Sequence, residues 1–103
     1  MIEYTEVIYT FYFYILTNRN RSVLYTGVTN NLKIRLHQHE NKLNPNSFSA
    51  RYNVHYLIYF EKFTWIQLAI GREKEIKNLS REKKLNLIKE GNPELEFWNH
   101  YFK

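Results

Sequence analysis

The chain has no cysteine, only three glycines and two prolines, and fewer acidic residues than basic ones, 10 against 15. Without cysteine there is no disulfide scaffold, no thiolate zinc site and no thiol nucleophile, which agrees with a reducing compartment. Four histidines remain as candidate bases or ligands. No apolar run is long enough to cross a bilayer. The longest, Val7 to Leu16, is interrupted by Thr10 and preceded by Glu3 and Glu6 in place of a basic flank. These absences describe a soluble, cytoplasmic protein with no membrane partner.

What is present is an ordinary folding composition, 44% hydrophobic and 24% charged, in 103 residues. That length makes one domain with a single core and leaves no room for two. The formal net charge of +5 points toward an anionic partner, nucleic acid foremost. No repeat or low-complexity segment appears.

Because glycine and proline are scarce, the turns stand out. Val7 to Thr17 is dense in β-branched and aromatic residues and reads as a strand. The polar stretch Asn18 to Ser22 turns the chain, and Val23 to Val28 returns as a second strand. Gly27 inside that strand marks a bulge or a close backbone approach. A helix capped by Thr29 or Asn30 runs to about Asn41, because Leu32, Arg35, Leu36 and His39 fall on one face. A polar loop at Asn44 to Ser47 leads to a third strand, Val54 to Glu61. Thr64 and Gln67 form a capping box for a second helix with an inward face of Ile66, Ala69, Ile70, Glu73 and Ile76. Ser80 starts a third helix through Leu85 and Ile88, stopped by Gly91 with Pro93 beyond. The order β-β-α-β-α-α predicts an α/β fold of the α+β sandwich type, with a small, mostly antiparallel three-stranded sheet flanked by helices.

Polar groups sit where this pattern expects apolar ones. Arg35 and His39 share a helical face with Leu32 and Leu36, so they point toward the sheet edge, where an arginine can grip a phosphate and a histidine can relay a proton. The plain alternative is an arginine lying along the surface and a hydrogen-bonded core histidine. Glu73 is an inward carboxylate, which requires an ion pair with Arg72, Lys77 or Arg35, or else a bound cation. Magnesium suits such a site, since it keeps several waters and needs only one or two carboxylates. Of nine tyrosines most belong to core or sheet surface. Tyr12 and Tyr14 share a strand face, and Tyr25 on the hairpin partner brings a second phenol near Tyr14. A phenol with an ordinary pKa of about 10 needs a neighbouring cation or proton acceptor to serve as a base.

The stretches Tyr12 to Leu16, Leu24 to Thr29 and Asn31-Leu32 with Arg35 and His39 resemble the GIY-YIG nuclease domain. Tyr14 and Tyr25-Thr26-Gly27 stand at its two half-motifs. Downstream, Tyr59-Phe60-Glu61, Ala69, Arg72-Glu73, Ile76-Lys77, Lys84, Leu87-Ile88 and Asn92-Pro93 resemble the small stand-alone bacterial branch, similar to the N-terminal nuclease domain of the excision-repair C subunit. The likeness covers about residues 11–93 of a single domain, 1–103. The first half-motif lacks its glycine, the second carries Thr26 in place of isoleucine, and Thr29 stands where some relatives have lysine. The resemblance implies a DNA endonuclease using one divalent ion, Mg2+ or Mn2+, in the setting of DNA repair or recombination. Glu73 would bind the metal, Tyr14 or Tyr25 would activate or position water, Arg35 would contact the phosphate, and His39 would adjust protonation. The family's late asparagine matches Asn92 or Asn86. Two other expectations stand beside this one: a nucleic-acid-binding module that keeps the fold without cleaving, and a basic interaction protein. Lys33, Arg51, Lys62, Lys74, Lys77, Arg81, Lys83 and Lys84 suit tracking of a nucleic-acid backbone more than reading of bases, or simply a solvated face.

Overall fold

Residues 9–42 and 46–102 are described by a computed structural model of the chain. Its hairpin forms where β-branched and aromatic residues are densest: β1 (Phe11–Thr17) pairs antiparallel with β2 (Leu24–Thr29), from Tyr12 opposite Thr29 to Thr17 opposite Leu24. Asn18 closes the turn by accepting hydrogen bonds from the backbone N–H groups of Ser22 and Val23, at 2.8 and 3.1 Å. Of the expected first strand, Val7 and Ile8 lie outside the described residues, and Tyr9 and Thr10 are unpaired.

On the other side of β1 lies β3 (Tyr56–Phe63), giving the order β2-β1-β3 with every pairing antiparallel. β3 begins and ends two residues later than the sequence pattern suggests. Asn53 turns the chain with φ 58, so Val54 is buried before strand pairing starts. The irregularity in the sheet is not at Gly27: the register slips between Ile15 and Leu16 against β3, where Ile58 is the extra residue.

Alternation along β1 sends side chains to both faces of the sheet, so the single core expected from the chain's length is divided into two. Tyr14 and Leu16 join Leu32, Leu36, Val54 and Leu57 on one face, while Phe13 and Ile15 join Ile58, Ile76 and Ile88 on the other. The first face is covered by α1 (Leu32–Glu40) and by a closing 3₁₀ turn (Asn99–Phe102), with Trp98 and Phe102 packed on it. The second is covered by α3 (Ile66–Lys77) and α4 (Arg81–Gly91). Asn99 ties the closing turn to β3, accepting from the Leu57 N–H at 2.7 Å and donating to the His55 carbonyl at 2.8 Å. The fold is thus an α+β sandwich, as the sequence order implies, with two additions: the 3₁₀ turn and a one-turn helix, α2 (Phe48–Arg51), capped by Ser47.

Helix starts differ from expectation in two places. The cap of α1 is Asn31, whose side chain accepts from the Ile34 N–H at 3.0 Å, because the Thr29 hydroxyl is occupied by the Asn31 N–H. No capping box opens α3: its N-cap is Trp65, with no side-chain bond, and Thr64 lies outside. On α3, Ala69 and Ile76 are buried with Glu73 half-buried between them, whereas Ile66 and Ile70 are exposed at the rim of that narrow stripe. Ser80 caps α4 as expected, and the helix ends at Gly91 with Asn92 as its C-cap. Among the described residues no helix is long and apolar enough to cross a membrane.

Candidate active site

Tyr14 occupies the middle of the central strand and is 1% exposed. Its β2 partner is Gly27, and the reason for a glycine there is steric: a Cβ at position 27 would sit 2.5 Å from Tyr14 Cζ and collide with the hydroxyl. Gly27 is therefore the close approach that the sequence allowed, and it gives the phenol room to lean across β2. Tyr25, two residues earlier on β2, reaches the same face, its ring centroid 6.5 Å from that of Tyr14. From α1, His39 closes the triangle. Its ring lies 6.1 Å from Tyr14 and 5.5 Å from Tyr25, and Nε2 is 3.2 Å from Tyr14 Oη. The helical spacing that joins His39 to the buried Leu32 and Leu36 delivers this contact.

Burial shapes the electrostatics. The Tyr14 phenol is held well above its ordinary range, first by desolvation and then by the Tyr25 phenol; Glu73 pushes the same way and Arg35 pulls against it. His39 is lowered to about 4, first by desolvation, then by the charges of Arg35 and His55, so its imidazole is neutral at pH 7. A neutral imidazole offers Nε2 a choice of donating or accepting toward Tyr14, set by its tautomer. Arg35 is exposed, not turned inward as its place on the stripe suggested, yet its charge is felt at both Tyr14 and His39. It borders a shallow recess of about 220 Å³ with Phe11, Val28, Thr29, Asn30 and Ile66.

The Glu73 carboxylate on α3 is felt electrostatically at the Tyr14 phenol, and one of its oxygens, Oε2, is buried and without a hydrogen-bond partner. No ion pair joins it to Arg72, Lys77 or Arg35. Arg72 is committed elsewhere: its guanidinium grips Glu61 of β3 at 2.8 and 3.0 Å and reaches Glu75 at 3.1 Å, while Tyr59 Oη donates to Glu61 at 2.5 Å. This clamp locks α3 to β3 immediately beside Glu73. A buried carboxylate oxygen left without a donor is costly unless a cation meets it. Among the described residues no group of three or more histidine, aspartate or glutamate side chains gathers. One carboxylate with an open oxygen fits a magnesium-like ion that retains most of its water, and does not fit a zinc or calcium cage.

Asn92 does not join these residues. It is buried, and its side chain donates to the carbonyls of Ile58 (2.8 Å) and Glu96 (3.0 Å) and accepts from the Glu96 N–H (3.0 Å), pinning the C-terminal segment to β3. Asn86 is exposed on α4. Of the basic residues, Arg81 is tied to the Arg21 carbonyl at 2.8 Å, and Lys77 and Lys84 line a cavity beside Tyr25. A residue that sequence reasoning passed over is Phe48 of α2, stacked on Tyr25 at 6.0 Å with an interplanar angle of 21°. Its only sequence signal is an aromatic directly after a capping serine in a polar loop.

Comparisons with known proteins give the family. A model of the GIY-YIG catalytic domain matches residues 10–86. A UPF0213 protein of Clostridium perfringens is 44% identical over 77 residues, covering 75% of this chain and 81% of its own. Another, from Staphylococcus saprophyticus, is 40% identical over 80 residues, covering 78% and 95%. The solution structure of a UPF0213 protein from Bacillus halodurans, 30% identical, superposes with a TM-score of 0.48 over 77% of this chain and 82% of that one. The matched stretch contains Tyr14, Tyr25, Arg35, His39 and Glu73, and the chain belongs to the GIY-YIG catalytic domain family.

Proposed function

We propose that this protein is an endonuclease that hydrolyses DNA phosphodiester bonds with the help of one divalent ion, Mg2+ or Mn2+. The observation that carries the reading is the unpartnered, buried Oε2 of Glu73, close enough to Tyr14 to be felt at its phenol. Glu73 would hold the ion, which when bound stabilises negative charge on the phosphate and on the leaving oxygen. The chain's own groups do the rest. Arg35, exposed at the mouth of the site, meets the phosphate of the incoming strand. The Tyr14 hydroxyl accepts a proton from the attacking water while its own proton passes to His39 Nε2, so no free phenolate has to persist in a buried site. Burial is the first cause of His39's lowering, but an anionic phosphate arriving at Arg35 offsets the part due to that charge, which makes the imidazole a better acceptor at the moment it is needed. Tyr25 flanks both rings and holds the second phenol toward the same space.

The test is nicking of supercoiled plasmid with Mg2+ or Mn2+ by the wild type, Glu73→Ala and Tyr25→Phe. Glu73→Ala should cut at least about 10²-fold more slowly, the scale seen when one charge-stabilising group is removed from a site. It should also melt no lower than the wild type, because the substitution removes an unsatisfied buried group. Equal nicking by all three proteins would refute the site. DNA binding that weakens steeply with salt but never yields cuts, in any of them, would instead identify a binding module with the same fold.

A further inference from the structure

Beside Tyr25 opens a cavity of about 450 Å³ lined by Leu24, Tyr25, Thr26, Phe48, Lys77 and Lys84. One wall is aromatic. Phe48 is 46% exposed while stacked on Tyr25, and Tyr52, 49% exposed, lies 4.7 Å from Phe48 with the Arg51 guanidinium 6.0 Å over its ring. The lining also carries two ammonium groups, one from α3 and one from α4, and among the described residues no acidic side chain lines the space. Such a chamber repels cations and amines. It suits a flat aromatic ligand that carries negative charge, and its volume falls within the range of small-ligand pockets, roughly 300–1,000 Å³.

We propose that this cavity is a subsite for a nucleobase adjoining the bond to be cut, with the base stacked against Phe48 and the neighbouring phosphate held by Lys77 and Lys84. The assignment rests on the nuclease reading for its choice of ligand, since Tyr25 belongs to both the reacting cluster and the cavity wall. A paired base has its faces covered by its neighbours in the helix, so the base that enters is unpaired or turned out of the duplex. Aromatic stacking is tolerant of base identity, and lysines bind phosphate as point charges. The subsite therefore selects for local strand opening and not for sequence. It also gives α2 a role, since a one-turn helix with an exposed aromatic contributes little to either core.

The experiment measures binding without metal, so that cleavage is irrelevant to it. Full-length wild type, Phe48→Ala, Phe48→Trp and Lys84→Ala are titrated in EDTA against a fluorescent single-stranded oligonucleotide and against a duplex of the same sequence. Phe48→Ala should weaken single-strand binding about tenfold, the effect expected for losing one stacked base, and leave duplex binding within about twofold. Phe48→Trp should bind the single strand as tightly as the wild type. Lys84→Ala should weaken both and flatten the salt dependence. Phe48 is exposed, so the variants should fold, and thermal melting checks this. Unchanged single-strand affinity in Phe48→Ala, or an equal loss on single strand and duplex, would overturn the subsite. A protein that shows the expected pattern but never cuts DNA retains the subsite and loses the nuclease reading, so the two failures are separate.

Discussion

His39 carries a cost that comes first from its burial and then from the charges of Arg35 and His55. In the folded chain its pKa is lowered to about 4, against about 6.5 for a free imidazole. Between those values the unfolded chain binds the extra proton and the folded one does not, so folding stability is complete above pH 6.5 and declines as pH falls toward 4. Replacing His39 by glutamine removes this dependence while His55, lowered in the same direction, remains in both proteins. On moving from pH 7.5 to 4.5, the wild type should therefore lose a few degrees more in melting temperature than His39→Gln, and equal losses would show that the imidazole is not buried neutral. At this scale much was legible from sequence. Strand alternation placed Tyr14 and Tyr25 together, and a helical turn placed His39 with Leu36. Arg35 was harder, because a long side chain on the edge of an apolar stripe can extend to solvent while its charge still acts inward. Asn92 was harder still: two of the backbone partners that occupy it belong to Glu96, four residues on, but the third, the Ile58 carbonyl, comes from a strand that only the fold brings near.

The pairing of β1 with β2 makes a second, sharper prediction. Gly27 faces Tyr14 across the ladder with no space for a methyl group, whereas Gly71 on α3 has nothing within 4 Å of where its Cβ would stand. Gly27→Ala forces the phenol off His39 or the strands apart, and should cost about 1–3 kcal/mol, the usual scale of overpacking, together with most of the nicking activity. Gly71→Ala relieves a helix-interior glycine and should gain about 0.5–1 kcal/mol with activity intact. Urea unfolding of the two variants checks both signs; two similar shifts would mean that the Tyr14–Gly27 contact is not tight. Strands and long helices could be read from the chain because their periodicity repeats over several residues. The one-turn α2 and the closing 3₁₀ turn could not, since a single turn has no period to detect. The expected capping box of α3 failed for a related reason: the residue pattern was present, but the N-cap fell one residue later, at Trp65, and the helix begins at Ile66.

Across the whole molecule, the sheet is a platform on which elements far apart in the chain bring their polar residues together. Tyr14 comes from β1, Tyr25 from β2, His39 from α1 and Glu73 from α3, and the Glu61–Arg72 clamp fixes the last of these relative to the sheet. The net charge of +5 favours the approach of a polyanion, yet the group on which the proposed chemistry turns is the negative Glu73. Direct titration of the protein with Mn2+ probes that group, with paramagnetic broadening of the ring signals of Tyr14, Tyr25 and His39 followed by NMR in the wild type and in Glu73→Gln. A cation at Glu73 broadens those three rings selectively at low Mn2+ in the wild type and leaves them sharp in the variant. Broadening that is the same in both proteins, or that centres on other residues, would contradict the site.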